Sequence, residues 1–204
     1  MPEPLRVIAR DGVHEIVIER SRFRTTLTRV SDPDSAAAVI AAVRREFWDA
    51  THHCTAFRIG EVQRSSDDGE PAGTAGVPML EVLLRREVTD VVAVVTRWFG
   101  GVKLGAGGLV RAYGRAVSEA LDVVGVRRRV RLTEFLLAVP HAGAGRIENA
   151  LRTAGYAVAS VEYGADATIT ARAADPAAFA AWLAALTGGA VEALAIGEVD
   201  VDVE

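Results

Sequence analysis

Between Thr96 and Gly114 the chain reads TRWFGGVKLGAGGLVRAYG, six glycines in nineteen residues, with Arg97, Lys103 and Arg111 interleaved. Glycine carries no Cβ, so Gly100, Gly101, Gly105, Gly107 and Gly108 let backbone N–H groups come close to a ligand. The segment follows an apolar stretch, Asp90 to Val95, and runs into a pattern of helical period. A helix opening at such a loop presents unpaired N–H groups and the positive end of its dipole. With three cations alongside, these features make an anion site, and phosphate of a nucleic acid or nucleotide is the anion that suits it. Lys103 is the single lysine among 23 basic residues. A compact ammonium kept where arginine is the rule fits a phosphate contact, although chance would also leave one lysine. Trp98 offers a stacking surface for a base or sugar, whereas Phe99 and Tyr113 suit a core equally well.

The loop is neither a Walker A motif, for which Gly-Lys-Ser/Thr is missing, nor a complete G-x-G-x-x-G, because Val110 takes the sixth position. A second reading is that the glycines only permit a tight crossover. Upstream, Asp67, Asp68 and Glu70 form an acidic knot that would hold Arg97 and Arg111 in place, or ligate Mg²⁺. Asp-Asp-Gly is also ordinary turn chemistry. His52 and Cys54 share one face of a strand and His53 points away, which leaves two ligands where structural zinc needs four. A buried thiol beside a hydrogen-bonded histidine is the expectation there. No catalytic residue, metal site or cofactor is assigned.

Those residues need a frame. Val13–Glu19 and Phe23–Val30 read as strands joined by a turn at 19–21, and Asp32-Pro33 starts a helix carrying Ala36, Val39, Ile40, Val43 and Phe47 on one face. His52–Ile59 is a third strand. A Gly/Pro/Asp-rich loop covers Arg64–Leu80, overlapping a helix from about Thr74 to Arg86, and a strand ends at Thr96. The helix after the glycine loop turns Leu109, Ala112, Tyr113, Ala116, Val117, Ala120, Leu121 and Val124 inward and ends at Gly125. After Arg127-Arg128-Arg129 the pattern restarts: strand 131–139; helix 142–154 with Ile147, Ala150, Leu151 and Ala154 inward; hairpin 156–163 and 167–172. A helix from Asp175-Pro176 then buries Phe179, Leu183 and Leu186, and Val191–Val203 is a half-solvated strand. This βαββαβ order is that of a ferredoxin-like domain. Its sheet has Phe135 alone as an aromatic on the first strand, which argues against base stacking there.

With 204 residues, half of them hydrophobic, the chain holds one large or two small domains, expected at 1–126 and 127–204. No run approaches the roughly 20 apolar residues of a membrane span, no signal-peptide block opens the chain, and one cysteine suits a reducing compartment; a cytoplasmic protein is expected. A net charge of −4 excludes a general nucleic-acid coat but not a local basic site. Residues 1–126 carry 16 basic and 17 acidic side chains against 7 and 10 in 127–204, so the phosphate contact is expected in the first part.

HHCTAFRIG, SSDDGEPAGTAGVPML and VVTRWFGGVKLGAGGLVRAYG, in that order, resemble the signature of the YigZ/IMPACT family, with Trp98 where a tyrosine is expected. The resemblance implies an α+β fold: an N-terminal domain of the ribosomal-protein-S5-domain-2 type followed by a ferredoxin-like domain. That pairing is similar to the last two domains of elongation factor G. The family's best-understood members regulate translation under amino-acid stress through protein partners of a kinase pathway. They carry an additional N-terminal RWD domain, which is not expected in this chain, so that kinase-linked role is not expected of it. For the bacterial type the resemblance implies a nucleic-acid- or ribosome-binding protein, so RNA or the ribosome is the expected partner, with a translation factor or regulatory protein as an alternative. An enzyme acting on a phosphorylated small molecule with Mg²⁺ and a protein–protein regulator are the competing readings.

Overall fold

A computed structural model describes residues 5–203; residues 1–4 and 204, which the expected domains include, lie outside the described residues. The chain divides into two units, one up to Arg128 and one spanning Arg129–Val203.

In the first unit a five-stranded sheet has the order β2–β3–β6–β4–β5: β2 Gly12–Ile18, β3 Ser21–Arg29, β6 Val91–Trp98, β4 His52–Ile59 and β5 Val62–Ser66. Each neighbouring pair is antiparallel. Central β6 is apolar on both faces because helices cover both. Helix α1, Pro33–Glu46, packs on one side against Val92, Val94 and Phe57. It starts where Asp32 accepts from the Ser35 N–H and Pro33 has no N–H to lose. Helices α2, Gly76–Arg85, and α3, Gly105–Val124, pack on the other side around Phe23, Leu27, Cys54, Ala93 and Val95. Every α3 residue expected to face inward is buried, and Gly125 ends the helix at φ 75°. Strand β1, Leu5–Ile8, bridges in parallel to Val88 through Arg6.

The second unit contains α4, His141–Thr153, and α5, Pro176–Thr187, on a sheet whose strands run β10–β7–β9–β8: Leu194–Val203, Val126–Val139, Ala167–Ala173 and Ala157–Tyr163. Numbered within the unit the order is 4-1-3-2, as the ferredoxin-like reading requires. Phe135, Leu137, Ile147, Leu151, Ile169, Phe179 and Leu183 form its core.

Four departures from expectation have local causes. The first part of the 64–80 loop is strand β5, which has no buried residue and is held by its backbone ladder to β4, so periodicity cannot reveal it. Strand β6 runs on through Arg97 and Trp98, because Arg97 remains paired with Phe23 on β3 and His52 on β4, and Trp98 with Arg22 on β3. Strand β7 begins at Val126 and continues through the Arg127–Arg129 run. Ala154 is exposed, one residue past the end of α4. No helix among the described residues is long and apolar enough to cross a membrane.

Candidate functional site

The residues singled out by the sequence separate into two places. The first is a buried polar cluster. Arg97 sits opposite Phe23 on β3 and His52 on β4, so its side chain enters the face covered by α2 and α3, where it is 4% exposed. Its Nη1 donates to Glu70 Oε1 at 2.5 Å and its Nη2 to Ser21 Oγ at 3.2 Å. Tyr113 Oη, from α3, donates to the same Glu70 oxygen at 2.7 Å. The guanidinium also lies 5.3 Å from the Phe23 ring centre and 5.6 Å from that of Phe99. A charge this deep requires its partner, so Arg97 and Glu70 must be buried together or not at all.

The other two acidic residues are likewise engaged by protein groups. Asp67 accepts from the N–H groups of Gly73, Ala75 and Gly76 at 2.8, 3.0 and 2.8 Å, capping α2 from a distance. Burial acts to raise its pKa, but those three donors outweigh it and hold the carboxyl below its ordinary value. Asp68 accepts from Arg44 Nη2 at 2.7 Å and from the His53 N–H at 2.6 Å, and its carbonyl accepts from His52 Nδ1 at 2.8 Å. The knot therefore orders Arg97, as the sequence suggested, but not Arg111. No group of three or more His, Cys, Asp or Glu among the described residues is arranged to hold a metal ion. Cys54 is fully buried and its thiol donates to the Asp67 carbonyl at 3.0 Å. Burial pushes that thiol up to about 12, which keeps it protonated and unreactive.

Asp67→Ala is expected to cost about 2 kcal/mol, because the first N–H groups of α2 lose their acceptor. The folded pKa of Asp67 lies below the unfolded one, so its contribution is complete above the unfolded value and is lost as pH falls through the folded one. Urea titrations from pH 6 downward will show a smaller acid-side loss of stability in Asp67→Asn than in the parent; equal slopes would refute the assignment.

The second place is the loop 99–104 and the start of α3. Lys103, Gly108, Arg111 and Arg115 line a cavity of about 540 Å³, together with Ile18, Glu19, Val102, Leu104 and Ala112. Helix α3 has Leu104 at its N-cap, no side-chain cap and no acidic residue in its first turn, so its leading N–H groups are left to solvent or a ligand. A Cβ on Gly107 would lie 3.5 Å from Arg111 Nη1, which places that guanidinium back over the first turn of α3. Lys103 and Arg111 have no ion-pair partner among the described residues, and Arg115 pairs with Glu119 at 2.6 Å. Gly101 and Gly105 take φ of +85° and +69°, conformations that glycine adopts freely. Gly100 is where the loop touches the β2–β3 turn, donating its N–H to Ser21 Oγ at 3.2 Å.

Trp98 belongs to neither place. Arg22 lies 3.9 Å from its ring centre and Asp49 accepts its indole N–H at 3.0 Å, so one face and the polar edge are already used. The exposed aromatics nearby are Phe99, 47% exposed, and Trp48, 82% exposed. Sequence reasoning passed over Arg115 and Glu19. Arg115 follows Arg111 by four residues and so shares its helix face, a signal that was available. Glu19 carries no such signal, because only strand pairing brings the β2–β3 turn to α3.

Comparison with known proteins agrees with the division into two units. Residues 19–121 match the Impact N-terminal domain, and residues 137–190 match a domain of unknown function, DUF1949. The chain is 45% identical to the IMPACT family member YvyE of Bacillus subtilis (strain 168) over 183 residues, 87% of this chain and 84% of that protein. It is 40% identical to the IMPACT family member YigZ of Escherichia coli (strain K12) over 190 residues, 89% and 92% of the two chains. A crystal structure of a hypothetical protein superposes with a TM-score of 0.63 at 37% identity, covering 96% of this chain and 98% of that one. The matched stretch holds the whole Glu70–Arg97–Tyr113 cluster and the loop that follows it, and with identity of this extent across both units the chain belongs to the IMPACT family.

Proposed function

We propose that this protein is a translation-associated regulator that binds RNA, on or off the ribosome, through the glycine-rich cationic loop. One observation carries the reading: Lys103, Arg111 and Arg115 line a single cavity at the uncapped N-terminus of α3, and two of the three have no ion-pair partner among the described residues. Cations gathered at a helix N-terminus favour an anion through both dipole and charge. The translation context comes from the family, whose best-understood members regulate translation. Arg97 and Glu70 contribute by holding β6 and α3 together, not by touching phosphate.

Lys103→Glu will weaken co-sedimentation with ribosomes or RNA at about 50 mM salt and lower the salt-dependence slope by about one unit. Unchanged binding would remove the loop from the interface. Capture of a protein that persists after nuclease treatment would instead favour a translation factor or regulatory protein as partner. The second reading, an enzyme for a phosphorylated small molecule, draws support from the cavity volume, which suits one small ligand. The Mg²⁺ ligands it needs are not offered by Asp67, Asp68 or Glu70, whose carboxylates point to protein donors. A phosphorylated metabolite that raises the melting temperature where RNA does not would favour that reading.

A further inference from the structure

Resting on that reading, we infer that Glu19 makes the cavity selective for ribose over deoxyribose, so that the site takes RNA and discriminates against DNA of the same sequence. The cavity is not uniformly basic: beside Lys103, Arg111 and Arg115 its lining includes one acidic residue, the exposed Glu19. Glu19 lies in the two-residue turn between β2 and β3, at φ 45°, with Arg20 at φ 67°. Both conformations come more easily to glycine or asparagine, so a glutamate here is not the choice that the turn itself favours. Its carboxylate makes no hydrogen bond or ion pair with another described residue, although it shares the cavity with three cations.

An ionised carboxylate accepts hydrogen bonds and donates none, and it repels phosphate oxygens. A ligand complementary to this cavity brings anionic oxygens to the cations and a hydroxyl donor to Glu19. The 2′-hydroxyl of a ribose beside its 3′-phosphodiester supplies both on adjacent atoms, and it is the group by which proteins tell RNA from DNA. A deoxy strand would bring the same phosphates but leave Glu19 facing them with no donor between. Ile18, Val102 and Leu104 supply the apolar wall against which a sugar can lie.

The test compares single-stranded RNA and DNA oligonucleotides of one sequence by fluorescence anisotropy, with the parent protein and with Glu19→Gln. The parent is expected to bind RNA about ten-fold more tightly than DNA, the effect of one hydrogen bond to a charged group. Glu19→Gln will bring the two affinities together, chiefly by improving DNA binding, because the amide can donate to phosphate. Equal affinities in the parent, or a preference that survives in Glu19→Gln, would overturn the inference and leave the binding reading standing. No binding of either strand would overturn both. A ribonucleoside 3′-phosphate that binds when the RNA strand does not would overturn RNA as the ligand.

Discussion

Glu70→Ala will lower the unfolding free energy of the N-terminal unit by about 3–5 kcal/mol, the cost of leaving a buried guanidinium without its partner. Arg97 and Glu70 have side chains only 5% and 4% exposed, so water cannot replace the lost carboxylate without opening the junction of β6, α3 and the 67–76 loop. The loss is a large fraction of the stability of an ordinary domain, about 5–15 kcal/mol in total. Tyr113 also loses its acceptor, and among the described residues Ser21 is the one hydrogen-bond partner left to the Arg97 guanidinium. Urea unfolding followed by tryptophan fluorescence reads the change. The triple variant Glu70→Leu, Arg97→Met, Tyr113→Phe separates a structural role from a binding one. Apolar groups of similar volume need no partner, so it should recover most of the lost stability. If Glu70→Ala were as stable as the parent yet failed to bind RNA, Glu70 would belong to the ligand site and the structural assignment would fall.

Gly100→Ala is the second large effect. A Cβ at this position would land on the carbonyl carbon and oxygen of Arg20, backbone against backbone, with no side chain that can rotate away. The loop and the β2–β3 turn would have to part, breaking the bond from the Gly100 N–H to Ser21 Oγ and moving Glu19 with the turn. The expected cost is about 3 kcal/mol, at the upper end for overpacking. Gly101→Ala is the control: nothing lies within 4 Å of its Cβ, so the penalty is only the strain of φ +85°, about 1–2 kcal/mol. Differential scanning calorimetry of the two variants will rank Gly100→Ala as the less stable. The reverse order would mean that loop and turn are not held together as described. Because Glu19 moves with the turn, Gly100→Ala should also lose RNA preference at temperatures where it remains folded.

Much of this molecule was legible in one dimension. The inward face of α3 emerged residue for residue, because a helix packed on one side of a sheet must repeat its apolar positions every three or four residues. The starts of α1 and α5 were equally clear, since Asp32-Pro33 and Asp175-Pro176 cap and start a helix by local hydrogen bonding alone. The βαββαβ order of the second unit followed from the same periodicities, and glycine density with interleaved cations marked the loop after β6. These features depend on neighbours in sequence, and the chain determined them unaided.

The partners of each charge were decided only by the tertiary structure. Arg97, Lys103 and Arg111 look equivalent in sequence, yet strand pairing turns Arg97 into the core toward Glu70, 27 residues earlier, and leaves Lys103 and Arg111 at the mouth of a cavity. Asp67, Asp68 and Glu70 read as one acidic knot, yet the turn at Asp68-Gly69 sends them to a helix N-terminus, an arginine on α1 and a buried ion pair. Glu19 lines the same cavity as Arg111 because the β2–β3 hairpin edge comes to rest beside α3. Alternation along a strand fixes which side chains share a face, but not what lies across from them. Charge pairing is a matter of distance in space, and distances between elements far apart in the chain exist only once the sheet has formed and its helices have packed.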